Sequence, residues 1–539
     1  MSPIHYHNQQ CPLLQGKTLF DYADVLKVRV PTSCGRNGQC HECIVEVLRG
    51  GDTLSSPTEA EAFLSGDYRL ACQATVLDTD SEVEFSILQR EPKILTHSIH
   101  HDFPICPLTH RQGNTVFFDN QKLDRYRGYL HGLAIDIGTT TVAMNLADLA
   151  SGKILWTTSF ENPQRFGGSD IMHRISYDGG DFHGELQKAI LSTVNAEITA
   201  MSRQANLSYR TIYEVVVVGN STMRDIFFGI NVQPIGERPY KSTTQLELES
   251  GSREATVIET SGKNLGLRVF PAARVYGGPL IGCHIGADVA ADLLAVGMDE
   301  LESVVALVDV GTNTEVVVGN RHRMMAASCP AGPAFEGGLI RHGMPGYKGA
   351  IESVEIDKEG VHYKTIGQVQ AQGICGSGLV DLLAALRRTG RMSPLGVFED
   401  GSMEFSFAPE KSMSLSRSDI SALAQAKSAN YAGQFIVLRE YGLPLTEISD
   451  FYLAGGFANY VNVRNAREIG FIANLPLEKI TKVGNASLEG ATMILLSREK
   501  RHNLERLVKN IEHVELETTA DFFEIFVEGC LFNPMQLDL

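Results

Sequence analysis

The sequence predicts an α/β multidomain protein, in which a small β-rich module precedes a larger body with two related lobes. The chain has 539 residues, enough for three or four folding units at about 150 residues each. From Gly132 onward, short apolar runs typical of buried strands alternate with helical stretches, which indicates sheets covered by helices. One strand-and-turn motif occurs twice in that region, which suggests that a lobe has been duplicated.

The composition is that of a globular protein and excludes several classes of function. Apolar residues make up 43% and charged residues 21% of the chain, which rules out a disordered or fibrous protein. The formal net charge of −17 repels phosphate backbones and anionic lipids, so we expect neither nucleic acid nor membrane as a partner. No apolar run is long enough to span a membrane, and no secretory signal is evident, so we expect a cytoplasmic protein.

These patterns divide the chain into four segments. Residues 1–90 are expected to form the β-rich module. Residues 91–130 have no clear period and are rich in histidine and proline, which predicts a linker. Residues 131–300 and 301–539 are expected to form the first and the second lobe.

The chain has ten cysteines, which are too few for a disulfide scaffold. Three of them, however, fall within ten positions near the N-terminus. The cluster consists of Cys34, Cys40 and Cys43, with Cys72 after 28 intervening residues. In a reducing compartment such a grouping points to a metal centre or to catalysis. Gly35 and Gly38 allow the loop to adopt backbone conformations that residues with a Cβ rarely adopt. These conformations would bring backbone N–H groups near the sulfurs.

Four thiolates in this arrangement can hold a [2Fe–2S] cluster, because a tight loop can wrap three of them while a distant fourth ligand closes the site. A zinc site is one alternative, although zinc usually takes paired ligands and Cys72 stands alone. A reactive dithiol at Cys40 and Cys43 is another, and it leaves Cys34 unexplained. The segment resembles the ferredoxin-like [2Fe–2S] domain, which implies a β-grasp fold with the cysteines on one edge loop.

Two short motifs in the large body suit phosphate binding, because each places an aspartate, a glycine and threonines where a buried strand ends. The first copy contains Asp136, Gly138, Thr139 and Thr140, and the second contains Asp309, Gly311 and Thr312. Glycine lets backbone amides approach a phosphate, threonine hydroxyls add donors, and the carboxylate can hold Mg²⁺ through water. One such motif alone is a weak signal, whereas two copies between apolar strands indicate a shared nucleotide site.

A third element has the glycine pair Gly455 and Gly456 after another apolar strand, followed by Asn459. Two glycines at this point would let adenine and ribose lie against the backbone. In this order the three elements resemble the superfamily of acetate and sugar kinases, heat-shock chaperones and actin. The resemblance implies an actin-like ATPase domain with two ribonuclease-H-like lobes, and it places ATP and Mg²⁺ in the cleft between them.

The same resemblance assigns roles to these residues. It implies that both threonine-rich motifs contact the phosphates and Mg²⁺, with Asp136 and Asp309 as the carboxylates, and that Gly455, Gly456 and Asn459 form the adenosine side. Asp288 begins a helix shortly before the second phosphate strand, where related ATPases use a carboxylate to hold Mg²⁺ or the attacking water. An aspartate that caps the helix N-terminus is the alternative interpretation.

A [2Fe–2S] domain ahead of this ATPase cleft resembles the reductive activators of corrinoid enzymes, and residues 218–223, 331–338, 374–378 and 484–487 also fit that family. The resemblance implies ATP-dependent, one-electron reduction of Co(II) to Co(I) in a corrinoid protein or corrinoid methyltransferase, with an upstream low-potential reductant. Members of the family have a middle domain, for which residues 91–130 are too short, so a homodimer is left open. Residues 328–338 are the candidate docking surface, with a phosphate-side or hinge loop as the alternative.

Other functions fit parts of the sequence. A sugar or acid kinase with a regulatory iron–sulfur domain would use the same cleft. An activator of a radical-type dehydratase would share the ATPase fold, but such activators hold a [4Fe–4S] cluster between subunits. An ATP-sensing ferredoxin scaffold would bind nucleotide with negligible hydrolysis.

Overall fold

The computed structural model describes residues 2–6, 9–32, 34–88, 103–456 and 458–537. Residues 91–102 of the predicted linker lie outside the described residues. So do Met1, His7, Asn8, Ser33, residues 89–90, Phe457 and the last two residues. No helix within the described ranges is long and apolar enough to cross a membrane.

The N-terminal module is a five-stranded sheet with one short helix. Its elements are β1 (Pro3–Tyr6), β2 (Gln9–Pro12), α1 (Leu19–Val25), β3 (Ile44–Arg49), β4 (Tyr68–Leu70) and β5 (Val83–Ile87). The strand order is β2-β1-β5-β3-β4, in which only β1 and β5 pair in parallel. Thr18 and Asp21 form a capping box that fixes the start of α1. This is the predicted β-grasp arrangement.

The second half of the predicted linker forms a small antiparallel sheet. Its strands are β6 (Thr109–Gln112), β7 (Thr115–Phe118) and β8 (Gln121–Arg125). The buried carboxylate of Glu214 accepts a hydrogen bond from the Thr109 backbone N–H at 3.2 Å and also pairs with Arg501. These strands are short and half-exposed, so they leave no apolar period in the sequence. This part of the segment is therefore a folded element, which differs from the expected linker.

The first large sheet has six strands. Its elements are β9 (His131–Ile137), β10 (Thr141–Asp148), β11 (Ile154–Glu161), α2 (Ile171–Asp178), α3 (Glu185–Gln204), β12 (Ile212–Gly219), α4 (Ser221–Phe228), α5 (Gln233–Gly236), α6 (Thr243–Glu249), β13 (Ile258–Ser261), β14 (Arg274–Gly277) and α7 (Ala287–Ala295). The strand order is β11-β10-β9-β12-β14-β13. Every residue of β9 and β12 is buried, because helices cover both faces of the sheet at its centre.

The second half of the body contains another six-stranded sheet and two smaller ones. Its elements are β15 (Val305–Val310), β16 (Thr314–Asn320), β17 (Arg323–Cys329), β18 (Ala350–Ile356), β19 (Val361–Thr365), β20 (Gly373–Ile374), α8 (Gly376–Arg388), β21 (Glu404–Ala408), β22 (Met413–Ser416), α9 (Arg417–Tyr441), β23 (Phe451–Ala454), α10 (Val463–Glu468), β24 (Ile480–Gly484), α11 (Ala486–Leu496), α12 (Arg498–Leu507), β25 (Ile511–His513) and α13 (Phe522–Gly529). The large sheet has the order β24-β23-β15-β16-β17-β25.

The two large sheets share one plan around their first strand. β9 pairs antiparallel with β10 and parallel with β12, while β15 pairs antiparallel with β16 and parallel with β23. In each sheet a third antiparallel strand follows, β11 beside β10 and β17 beside β16. This repeated arrangement confirms the two ribonuclease-H-like lobes.

The chain returns to the first lobe near its C-terminus. Leu495 in α11 packs in one apolar cluster with Ala134 of β9 and Val216 of β12. Arg501 in α12 then forms the buried ion pair with Glu214. The sequence boundaries assign the whole of 301–539 to the second lobe. The structure differs because α11 is apolar on nearly all sides and needs cover from both lobes.

Candidate functional site

The ends of the equivalent strands β9 and β15 lie at the cleft between the lobes. Each strand contains an aspartate next to its last residue, Asp136 in β9 and Asp309 in β15. Each strand is followed by a tight turn, in which the Gly138 N–H donates to the Thr141 carbonyl at 3.0 Å and the Gly311 N–H donates to the Asn313 carbonyl at 2.9 Å. We call residues 138–141 and 311–314 the first and the second phosphate loop. Between them lies a cavity of about 310 Å³.

The cavity brings together nearly all the predicted nucleotide-binding residues. It is lined by Asp136, Gly138, Thr139, Thr140, Asp288, Asp309, Gly311, Thr312, Gly455 and Gly456. Asn459 does not line it. Its carbonyl accepts a hydrogen bond from the Lys482 Nζ at 2.9 Å, and Tyr460 reaches the cavity in its place. The placement of Asn459 outside the cavity therefore differs from the prediction.

Gly455 shows why this position requires glycine. Its φ is +100°, a conformation that residues with a Cβ rarely adopt. A Cβ here would also lie 2.3 Å from the carbonyl oxygen of Val310 and 2.7 Å from Oδ1 of Asp309. The glycine therefore lets the end of β23 approach the second phosphate loop directly.

Buried carboxyl groups dominate the electrostatics of the cleft. Burial, with the nearby charges of Asp288 and Asp309, raises the pKa of Asp136 to about 8. Burial and Asp309 raise the pKa of Asp288 to about 7, and burial raises the pKa of Asp309 to about 6. Within the part of the chain that the structure describes, no lysine or arginine pairs with these three carboxyls. A divalent cation would relieve their repulsion, and carboxylate oxygens are ligands that Mg²⁺ prefers.

Asp288 and Asp292 lie one turn apart on α7 and extend this acidic group. The N-cap of α7 is Gly286, whereas Asp288 lies in the first turn of the helix. Its Oδ1 accepts a hydrogen bond from the Val289 N–H at 2.8 Å, and the residue also lines the cleft. Asp292 is fully buried, with Oδ1 accepting from the Ser487 hydroxyl at 2.9 Å, while Oδ2 has no hydrogen-bond partner. Burial, followed by the charge of Asp309, raises the pKa of Asp292 well above its usual range. The donor set therefore fits a cation bound in the cleft.

Glu336 links the two phosphate loops. Its carboxylate accepts a hydrogen bond from the Thr140 hydroxyl at 3.1 Å and another from the Thr312 hydroxyl at 2.9 Å. The side chain of the preceding residue, Phe335, also lines the cavity. This part of 328–338 therefore lies on the phosphate side of the cleft, as in the alternative interpretation of that segment. Leu339, immediately after it, is 80% exposed at a φ of +64°.

Several lining residues come from stretches whose role the sequence left open. Asn220 donates through Nδ2 to the Thr139 hydroxyl at 3.0 Å. Asn485, the N-cap of α11, donates through Nδ2 to Oδ2 of Asp136 at 3.0 Å. The first turn of α8 contributes Gly376 and Ser377. These residues lie in stretches that the family resemblance singled out without assigning them individual roles. The sequence could not assign such roles, because the contacts of Asn220 and Asn485 join residues 81 and 349 positions apart.

The four predicted cluster ligands lie together at one end of the N-terminal module. Cys43 and Cys72 are buried, and the Cys43 thiol donates to the Cys72 sulfur at 3.4 Å. Cys34 and Cys40 are partly exposed on the loop. Gly35 and Gly38 have φ values of +70° and +82°, as the loop was expected to need. The site thus has two buried and two partly exposed sulfurs.

Hydrogen bonds favour the thiolate form, which iron requires, at two of the four sulfurs. At Cys43 the hydrogen bond with Cys72, together with burial, raises the pKa well above its usual range. The Cys43 thiol, together with the Gln73 side chain and the Gly38 backbone N–H, lowers the pKa of Cys72 to about 6. Burial raises the pKa of Cys34, but hydrogen bonds from the thiol and backbone N–H of Cys40 outweigh it and lower that pKa to about 6. Four thiols, two of them with lowered pKa values, are a donor set suited to a [2Fe–2S] cluster.

Comparison with known families covers nearly the whole chain. Residues 6–77 match the model described as the 2Fe-2S iron-sulfur cluster binding domain. Residues 131–301 match the RACo middle region, and residues 303–539 match the C-terminal domain of RACo, the ASKHA domain. The corrinoid activation enzyme RamQ of Eubacterium limosum is 32% identical over 430 residues, which are 75% of this chain and 70% of that protein. The chain belongs to the RACo family.

Two further relatives agree with this assignment. A Methanosarcina barkeri protein named [Co(II) methylated amine-specific corrinoid protein] reductase is 22% identical over 436 residues, or 74% of this chain and 76% of that one. A solved structure of a reductive activator for corrinoid, iron–sulfur protein matches with a TM-score of 0.71 and 27% identity, covering 99% of both chains. The domain architecture is therefore a ferredoxin-like [2Fe–2S] domain joined to an actin-like ATPase.

The family match corrects one expectation. The RACo middle region corresponds to residues 131–301, so the expectation that this chain lacks the middle part of the family is wrong. That region contains the β9–β14 sheet, which the sequence had assigned to the first ATPase lobe. The middle part is thus a lobe of the body rather than a separate unit within 91–130.

Proposed function

We propose that this chain is an ATP-dependent reductive activator that reduces the cobalt of a corrinoid protein from Co(II) to Co(I) by one electron. The observation that carries the proposal is the presence of a four-cysteine site and a two-lobed acidic cleft in one chain. Both relatives quoted above are named for acting on corrinoid proteins, and both align with about three quarters of this chain.

Nucleotide is needed because reduction of Co(II) is uphill for ordinary cellular donors. A nucleotide-driven protein can shift such an equilibrium only if its states bind the partner with different affinity. A differential of about 5.5 kcal/mol moves a two-state population from 1:99 to 99:1. For one electron, at about 59 mV per tenfold change, this corresponds to roughly 240 mV. That is enough to make a slow reduction productive.

The proposed roles follow the positions of the side chains. Cys34, Cys40, Cys43 and Cys72 hold the [2Fe–2S] cluster, which supplies one-electron transfer when bound. In the cleft, Asp136, Asp288 and Asp309 hold Mg²⁺ directly or through water. The two phosphate loops donate backbone N–H groups and threonine hydroxyls to the phosphates, while Gly455 and Gly456 face the adenosine.

The proposal includes the setting in which the chain works. The partner is a corrinoid protein or corrinoid methyltransferase, and an upstream low-potential reductant supplies the electron. We place this exchange in the cytoplasm, where reduced thiols are maintained. A homodimer is compatible with the proposal but is not required by it.

The test uses several purified Co(II) corrinoid proteins, each mixed with the reconstituted chain, a low-potential reductant and MgATP. Cobalt absorbance is expected to show Co(I) for at least one partner. If none is reduced, and labelled phosphate instead appears on a sugar or acid, the chain is a kinase and the proposal is wrong. ATP hydrolysis with neither outcome would also contradict it.

A further inference from the structure

The N-terminal module packs directly on the first lobe, through aromatic side chains. The rings of Phe63 in the module and Phe166 in the lobe meet edge to face, with centroids 5.7 Å apart. Both side chains are buried. The Tyr177 hydroxyl of α2 donates to the Phe63 carbonyl at 2.6 Å. On its other side Phe63 stacks on His41, at 4.2 Å between centroids, and His41 belongs to the cysteine loop.

The same region of the lobe is bonded to the first phosphate loop. Asn162 follows β11 and is fully buried. Its Nδ2 donates to the Gly138 carbonyl at 2.8 Å, and its backbone N–H donates to the Thr140 carbonyl at 2.7 Å. Its Oδ1 caps the short helical turn Pro163–Gly167 by accepting from the Gln164 N–H at 2.9 Å. We call Pro163–Gly167 the coupling turn, because its N-cap Asn162 is bonded to the first phosphate loop and the turn itself contains Phe166.

Arg165 on the coupling turn joins the module and the lobe by ion pairs. Its Nη1 donates to the buried carboxylate of Glu161, the last residue of β11. In the antiparallel pairing of β10 and β11, Glu161 lies opposite Thr141 of the first phosphate loop. The Nη2 of Arg165 donates to Glu46 of β3 in the module, at 3.3 and 3.4 Å to the two carboxylate oxygens. Tyr347, which lines the cleft from the second lobe, lies within electrostatic range of the same guanidinium. Arg165 therefore lies where the module and the two lobes meet.

A shift at the first phosphate loop cannot leave this contact unchanged. Closely packed interiors deform little, so a movement of the loop backbone passes to the groups bonded to it. Asn162 is bonded to the loop on one side and to the coupling turn on the other. The coupling turn in turn contacts the module through Arg165 and Phe166. The path needs few intermediate residues, and each step is a hydrogen bond, an ion pair or a ring contact.

We propose that Arg165 is a positioning residue, which couples nucleotide bound at the first phosphate loop to the packing of the iron–sulfur module on the first lobe. This inference rests on the proposed function, since it requires nucleotide to bind at Gly138 and Thr140. It adds the route by which the state of the cleft reaches the module. Arg165 acts through Glu46 and the coupling turn, and it is neither a cluster ligand nor one of the residues that line the cavity.

Hydrogen–deuterium exchange on the full chain with its cluster tests the coupling. Exchange is followed with and without a non-hydrolysable MgATP analogue in the first phosphate loop, residues 138–141, and in module residues 59–68. In the wild type, the analogue is expected to change exchange in both segments. An allosteric effect of ordinary size would alter the module rates by about fivefold or more. A change in the loop with none in the module overturns the inference and leaves the proposed function standing. No change in either segment overturns both.

The variant that tests the residue is Glu46→Lys, which places a positive charge opposite Arg165 but leaves the buried Arg165–Glu161 pair intact. We expect the loop response to persist and the module response to disappear, while the EPR signal of the cluster is unchanged. Glu82→Lys is the matched control, because Glu82 is half-exposed on the same module and lies 3.8 Å from His5 and from Arg49. Glu46→Gln, which keeps an acceptor for the guanidinium, is expected to retain the response.

A milder variant keeps the test decisive if Glu46→Lys fails to fold. Tyr177→Phe removes only the hydroxyl that donates to the Phe63 carbonyl, and it should reduce the module response in the same direction. Tyr126→Phe is its control, since that hydroxyl donates to the carbonyl of Gly128, which follows the small sheet. A module response as large as that of the wild type in folded Glu46→Lys or in folded Tyr177→Phe would overturn the role of this contact.

Discussion

Asn485 donates a hydrogen bond to Asp136 although 349 positions separate them in the chain, with 3.0 Å between Nδ2 and Oδ2. Asn485 caps α11, the helix by which the C-terminal part returns to the first lobe. The carboxyl group of the first phosphate motif is therefore held by the last large segment of the chain. A nucleotide site of this kind forms only when the whole body has folded.

This contact predicts a shift in the pH dependence of ATP hydrolysis. Burial raises the pKa of Asp136, and the Asn485 amide opposes that rise. Asn485→Ser keeps a residue suited to capping α11 but is too short to reach Asp136. We expect the pKa of Asp136 to rise further, so that the ionised form needed for Mg²⁺ appears only at higher pH. At pH values below the midpoint of the profile, a rise of about one pKa unit would lower the rate of hydrolysis by about tenfold.

The measurement is the pH profile of hydrolysis at saturating ATP. Asn462→Ser is the control, because Asn462 caps α10 in the same way and does not line the cavity. An unchanged profile in Asn485→Ser, or an equal shift in the control, would contradict this role.

Three carboxyls of the cleft, those of Asp136, Asp288 and Asp309, predict how Mg²⁺ affects stability. Their folded pKa values of about 8, 7 and 6 lie above the usual value for aspartate. The folded state thus binds more protons than the unfolded state between about pH 4 and pH 8, so stability without metal falls as pH rises through that range. Mg²⁺ should restore stability where the carboxyls are ionised. Thermal unfolding with and without Mg²⁺ is expected to show a larger rise in Tm at pH 8 than at pH 5, and equal rises would contradict the metal site.

The cysteine site predicts a selective loss of iron. Cys72→Ser removes the ligand that closes the site, and we expect bound iron to fall from about two atoms per chain to nearly none. Cys106→Ser is the control, because Cys106 is exposed and lies outside the four-cysteine site. Iron analysis and EPR after reconstitution provide the measurement. Equal iron in the two variants, or zinc in place of iron in the wild type, would refute the assignment.

Glu336 predicts an effect on nucleotide affinity. Its carboxylate accepts from threonines of both phosphate loops, so in this arrangement it opposes the negative charge of a nucleotide phosphate. Glu336→Gln keeps an oxygen for the threonines and removes the charge. We expect ATP to bind more tightly, by about tenfold if one close charge repulsion of about 1.4 kcal/mol is relieved. Calorimetric titration with ATP measures the affinity, and Glu359→Gln, at an exposed position, is the control. Weaker binding by Glu336→Gln would instead indicate that Glu336 helps to hold the metal.

The sequence alone predicts the features whose residues lie close together in the chain. The cysteine loop and the two aspartate turns are local patterns, and the structure assembles each where a strand or a tight loop requires it. Asn459 lies close to a glycine pair in sequence, but it does not line the cavity. Glu336 and Asn485 could not be assigned roles, because Glu336 joins threonines of both phosphate loops and Asn485 contacts Asp136 from 349 positions away. Only the folded chain defines those contacts. The small sheet after residue 108 was missed for a different reason, namely that short, half-exposed strands have little periodicity.

The central claim is that nucleotide makes an unfavourable one-electron reduction productive. The most direct measurement follows Co(I) absorbance of a partner corrinoid protein mixed with the reduced chain, with and without MgATP, in parallel with the Asp309→Asn variant. We predict rapid formation of Co(I) only with MgATP and the wild-type chain, and a rate at least about tenfold lower without nucleotide or in the variant. Equal rates of Co(I) formation with and without MgATP would contradict the claim.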